Sequence, residues 1–140
     1  MSVYVDANVL VALFTDDPLT GRAETFLRNQ SPRLIVSDFA AAEFASAIAR
    51  RLRMKEIAPD GGREAFSNFD AWIARGSSRA QITSADVAGA TAFLRRLDIA
   101  LRAPDAIHIA IAQRLDADLL TFDDQMAAGA RALGTTVLVA

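Results

Sequence analysis

Short apolar runs alternate along the chain with longer stretches in which apolar residues recur at helical spacing. Val3-Tyr4-Val5 predicts a buried strand ending at Asp6, with Asn8 capping a helix over residues 9–14. Asp17-Pro18 pairs a capping side chain with a proline at the first helical position, opening a helix to about Asn29 that Ser31-Pro32 breaks. Leu34-Ile35-Val36 is the second strand. Ser37 or Asp38 then caps a long helix reaching Met54, with Phe44, Ile48 and Leu52 as its apolar stripe. Pro59 and Gly61-Gly62 mark a loop, after which Phe66, Phe69, Trp72 and Ile73 return at helical spacing as core or a self-association face. Gln81-Ile82-Thr83 is the expected third strand, and Thr83 or Ser84 starts a helix through Leu97. Pro104 opens a helix from Asp105 to about Leu115. A strand over 119–122, a helix over 124–133 stopped by a left-handed Gly134, and a strand over 136–139 complete the pattern.

Strands separated by helices of this length predict a parallel sheet within a three-layer α/β/α domain with right-handed crossovers. No linker, repeat or low-complexity segment interrupts the 140 residues, so one domain over 1–140 is expected. The 52% hydrophobic content is enough for a full core. No apolar run reaches the roughly 18 residues of a membrane span. The run at 9–14 also lacks the basic leader of a signal peptide. The absence of cysteine excludes disulfides and thiolate metal sites, and it suits a reducing, cytoplasmic location.

A net charge of −2 rules out a general basic coat for nucleic acid. Positive charge is nonetheless clustered. Arg50, Arg51, Arg53 and Lys55 end one helix, and Arg95, Arg96 and Arg102 surround the end of another. Complementing helix dipoles accounts for either cluster alone. Around an acidic cleft the same residues would serve a polyphosphate backbone.

Four acids carry most of the chemistry. Asp6 and Asp123 each follow a predicted strand, where ligands of such sheets bind. Asp105 opens the helix leading into the strand that ends at Asp123. Glu43 lies about two turns into an alanine-rich helix, sharing a face with Phe39, Ser46, Ala47 and Arg50. Each acid singly has an ordinary role as a strand end, cap or helix start. Beside buried apolar residues, however, a lone carboxylate is costly, and four carboxylates cannot neutralise one another. A hard divalent cation such as Mg²⁺ resolves this. Asn8 and Thr121 flank the rim as orienting residues, and Asp124 is an outer ligand or a first-turn helix acid. His108, between two isoleucines, reads as a packed, hydrogen-bonded side chain and not as a catalytic base.

Val-Asp6-Ala-Asn8-Val-Leu, Glu43 within a helix, Ala-Pro104-Asp105-Ala-Ile-His108-Ile-Ala and Leu-Thr121-Phe-Asp123 follow in an order that resembles PIN-domain proteins, especially VapC-type toxins. The resemblance spans nearly the whole chain and implies a sheet of about five strands in the order 3-2-1-4-5. It further implies an endoribonuclease dependent on Mg²⁺ or Mn²⁺, with Asp6, Glu43, Asp105 and Asp123 as metal-binding and catalytic residues. A homodimer, a cognate antitoxin whose C-terminal segment blocks the cleft, and an RNA target in translation are the implied partners. Arg50, Arg51 and Arg96 are the candidate phosphate contacts. The expected chemistry is in-line attack by metal-activated water, leaving 5′-phosphate and 3′-hydroxyl ends. The alternative is an inactive PIN-like module whose acids dock a partner peptide or RNA. Haloacid-dehalogenase and receiver domains fit poorly, since Asn8 stands where the first needs a second Asp and Lys55 is the only lysine.

Overall fold

Side chains alternate along the central strands, and that alternation decides the architecture. In β1 (Ser2–Val5), Val3 and Val5 join one apolar cluster and Tyr4 the other. Leu34 and Val36 against Ile35 repeat this in β2 (Arg33–Ser37), and Leu120 against Leu119 in β4 (Asp118–Leu120). Both faces are therefore apolar and both require cover. Helices α1 (Ala7–Phe14), α2 (Thr20–Gln30), α3 (Asp38–Arg53) and α4 (Pro59–Gly76) supply it on one face. Helices α5 (Ser84–Arg95), α6 (Ala103–Arg114) and α7 (Asp124–Ala132) supply it on the other. With β3 (Ser77–Ala80) and β5 (Val137–Leu138) at the edges, the strands form one parallel sheet in the order β3-β2-β1-β4-β5. This computed structural model describes residues 1–140. The three-layer α/β/α arrangement and the 3-2-1-4-5 order are those expected.

Tyr4 pairs with Ile35 on one side and Leu119 on the other, so β1 is the innermost strand and its end at Asp6 lies at the switch point. Phe14 meets Phe44, Phe69 and Trp72 edge to face at centroid separations of 5.9, 5.7 and 5.4 Å. Of the aromatic set of α4, Phe69 is core, Trp72 packs half-buried against it and Phe66 is exposed. The stripe of α3 ends at Ile48, because Leu52 in the last turn is 39% exposed.

Five local expectations are corrected, the first being the cap of α1, which Asp6 supplies ahead of Ala7 instead of Asn8 ahead of residue 9. The third strand is Ser77–Ala80 and not residues 81–83, because Thr83 is committed to a capping box with Asp86 that starts α5. Helix α2 starts at Thr20 rather than at Pro18. The Asp17 carboxylate instead accepts Leu19 N–H at 2.9 Å and closes a turn. Pro59 and the two glycines are the first turn of α4 and not a loop, with proline at a position whose N–H needs no partner. Strands β4 and β5 end earlier than predicted, at Leu120 and Leu138.

Candidate metal centre

The strand ends of β1 and β4 open onto a cleft of about 790 Å³. Asp6 is the first residue beyond β1 and the N-cap of α1, with Oδ1 accepting Ala7 N–H at 2.7 Å. Its Oδ2 accepts the Thr121 hydroxyl at 2.7 Å. Asp6 is 5% exposed, and burial pushes its pKa above the ordinary carboxylate value. His108 and Thr121 act against that shift, while the charge of Glu43 adds to it.

Thr121 ties the rim together. Besides donating to Asp6, its Oγ1 accepts from Asn8 Nδ2 at 3.2 Å and from the Asp123 backbone N–H at 3.0 Å. Asn8 Oδ1 in turn accepts Phe122 N–H at 3.2 Å. The two residues read as orienting groups thus bind the start of α1 to the segment after β4.

Glu43, Asp105 and Asp123 all line the same cleft as Asp6. Asp105, at the third position of α6, accepts Arg102 N–H through Oδ2 at 3.2 Å. Asp123 caps α7, its Oδ1 accepting Gln125 N–H and Met126 N–H at 2.9 and 3.1 Å. Asp123 lies three residues beyond the end of β4, so its cap role is real and coexists with its place on the rim. Glu43 Oε1 meets His108 Nε2. In each of the three acids the other carboxylate oxygen has no hydrogen bond, and no buried side-chain oxygen in the protein lacks a partner. Those three oxygens are therefore not wholly buried. A desolvated Asp6 beside carboxylate oxygens without hydrogen bonds fits a hard divalent ion.

His108 enters the site more closely than the sequence indicated. Its Nε2 also lies 3.5 Å from Asp6 Oδ1, and one ligand-type atom from each of Asp6, Glu43 and His108 falls within 4.8 Å of the others. The available signal was its being the chain's single histidine, three residues after Asp105 on α6 and flanked by Ile107 and Ile109.

Among the basic residues, Arg50, Arg51 and Arg102 line the cleft. Arg51 is engaged there, bonding Thr15 Oγ1 at 2.9 Å and Asp17 Oδ2 at 3.0 Å. The Leu19 N–H and then Arg51 hold Asp17 below the usual carboxylate range. Arg96 lies off the cleft, paired at 2.9 Å with exposed Asp98, and Arg102 stands where its cluster reaches the rim. Asp124 also lies off the cleft, exposed in the first turn of α7.

A parallel three-layer sheet with four carboxylates lining one cleft beyond its strand ends, of which Asp6 and Glu43 bring ligand atoms within 4.8 Å of each other and of His108, defines an acid-lined α/β protein. The PIN domain family model matches residues 3–132, and the chain belongs to the PIN-domain family. It is 34% identical over 140 residues to Ribonuclease VapC46 of Mycobacterium tuberculosis (strain ATCC 25618 / H37Rv), covering 98% of this chain and 96% of that one. Its fold is similar to the crystal structure of Mycobacterium tuberculosis VapC20, described as a Sarcin-Ricin loop cleaving toxin. That match has a TM-score of 0.74 at 20% identity, over 90% of this chain and 93% of that one. It is also similar to VapBC2 from Rickettsia felis bound to a DNA fragment from their promoter, with a TM-score of 0.70 at 12% identity over 99% and 98% of the chains.

Proposed function

We propose that this protein is an endoribonuclease dependent on Mg²⁺ or Mn²⁺ and acts as the toxin of a toxin–antitoxin pair. The observation that carries this reading is the convergence of Asp6, Glu43, Asp105 and Asp123 on one cleft that Arg50 and Arg102 also line. The ribonuclease relative, matched over nearly its whole length, supports the activity.

Asp6, Glu43, Asp105 and Asp123 would hold the ion. A bound Mg²⁺ or Mn²⁺ acidifies water and offsets the charge that develops on a phosphodiester. Thr121, itself held by Asn8, and Ala7 N–H fix the Asp6 carboxylate, and the caps at Asp105 and Asp123 fix one oxygen of each of those groups, so these acids are oriented before a ligand arrives. Arg50 and Arg102 would take the RNA phosphates, with Arg51 braced behind them by Asp17. The reading includes one catalytic unit over residues 1–140, an RNA target in translation, a homodimer in the cytoplasm, and an antitoxin partner like those of the complexes it resembles.

The test is incubation of antitoxin-free protein with total RNA in Mg²⁺, in Mn²⁺ and in EDTA, beside Asp6→Asn. Discrete cuts with 5′-phosphate ends are expected with metal alone, and none with the variant. Cutting in EDTA, or 2′,3′-cyclic phosphate ends, would overturn the metal-dependent mechanism. A folded protein that binds metal and RNA but cuts nothing would instead be a binding module.

A further inference from the structure

His108 is 1% exposed and both of its ring nitrogens have partners. The ring packs between Tyr4 and Phe39, with centroids 5.6 and 5.0 Å away, and cannot turn over without opening the core. Nδ1 lies 2.6 Å from the Tyr4 hydroxyl, which also lies 2.6 Å from Ser37 Oγ. Ser37 Oγ accepts Ala40 N–H in the first turn of α3, the helix that carries Glu43. On the far side of the ring, Nε2 meets Glu43 Oε1.

Few arrangements of protons satisfy this chain. As a carboxylate, Glu43 only accepts, so the proton shared with it sits on Nε2. Ser37 Oγ accepts Ala40 N–H and can also donate to the Tyr4 oxygen. On a ring protonated at Nε2 alone, Nδ1 is the acceptor that the Tyr4 proton needs. Tyr4 then gives its own proton to Nδ1. Burial drives the Tyr4 pKa far upward, so its hydroxyl stays a neutral donor.

We propose that His108 is a positioning residue: its proton, held on Nε2 by Tyr4 and Ser37, is donated to Glu43 and aims that carboxylate at the cleft, and the ring itself ligates no cation. The spacing of Asp6, Glu43 and His108 taken alone fits a nitrogen ligand equally well, but a protonated Nε2 has no lone pair to offer. The inference rests on reading Asp6 and Glu43 as cation ligands and adds what holds them. Partners of ligating groups in this position are worth about 10–100-fold in metal affinity or activity.

The test is ¹⁵N NMR of the ring, in metal-free protein and with Mg²⁺, for the wild type and Tyr4→Phe. His108 is the single histidine, so its signals need no assignment. A proton on Nε2 is expected with and without Mg²⁺, with the fixed tautomer lost in Tyr4→Phe. An unprotonated Nε2, or one that gives up its proton as Mg²⁺ is added, overturns the proposal and makes His108 a ligand. Calorimetric Mg²⁺ titration then separates positioning from packing. His108→Gln restores an N–H donor near Nε2 and should bind close to wild type, whereas His108→Ala should bind about 10–100-fold more weakly. Equal losses in two folded variants would sink the donor role, and a wild type that binds no Mg²⁺ would sink both readings. A wild type that binds Mg²⁺ with Nε2 protonated but cuts no RNA counts against the nuclease reading alone.

Discussion

At the scale of single residues, the rim turns on Thr121 Oγ1, which donates to Asp6 and accepts from Asn8 and the Asp123 backbone. Thr121→Val keeps the shape and removes all three bonds. It is expected to lower stability by about 1–3 kcal/mol in urea unfolding, because buried polar partners are left unmatched. Metal-dependent cleavage should fall about 10–100-fold as Asp6 loses its orientation, and Thr121→Ser should restore most of both. Asp6 adds a pH effect of its own. Its folded pKa is raised, so its contribution to the stability of the metal-free protein is present below the unfolded carboxylate pKa of about 3.9 and is lost as pH rises through the folded value. A mobile, solvated Asp6 would show no such loss when unfolding is followed upward in pH.

At the scale of elements, Asp86 joins α5 to α6. Its Oδ2 closes the capping box with Thr83 N–H at 2.8 Å, while Arg114 reaches Oδ1 and Oδ2 at 2.8 and 3.0 Å. Burial alone would raise the Asp86 pKa, but the bonds from Arg114 and Thr83 together bring it below the ordinary value. The sign is opposite to that of Asp6. This stabilisation is present above the unfolded carboxylate pKa and is lost as pH falls through the lower folded one. Asp86→Asn should lose roughly 1–2 kcal/mol at pH 7, the low side of the range because Arg114 is partly solvated. Its urea midpoints should converge on the wild type in acid; a gap constant with pH would refute the ionic contribution. The same scale shows why β3 was misplaced. An edge strand pairs on one side only, so Ser77-Ser78-Arg79-Ala80 needs no apolar run, whereas Ile82, the more strand-like residue, lies in the lead to a cap.

At the scale of the whole molecule, cleft and surface charges should separate cleanly. Arg102→Ala is expected to raise KM for RNA and flatten its salt dependence, while Arg96→Ala, already paired with Asp98 off the cleft, should change neither. Mg²⁺ at about 100 times its Kd should stabilise the fold by about 2.7 kcal/mol, read as a rise in Tm that Asp6→Asn abolishes. The sequence by itself determined the layered α/β architecture, because short unbroken apolar runs mark strands buried on both faces and helical stripes mark helices buried on one. It also marked the four acids, because a carboxylate at the end of an apolar run departs from the pattern around it. Only the tertiary structure decided which cations reach the rim: Arg50 and Arg102 do, whereas Arg96 does not, since long side chains take their direction from neighbours distant in sequence. It alone brought His108 between Tyr4 and Glu43, 104 and 65 residues away along the chain. Local propensity records what each residue buries, and contacts of that separation exist only once the sheet has set β1 against α3 and α6.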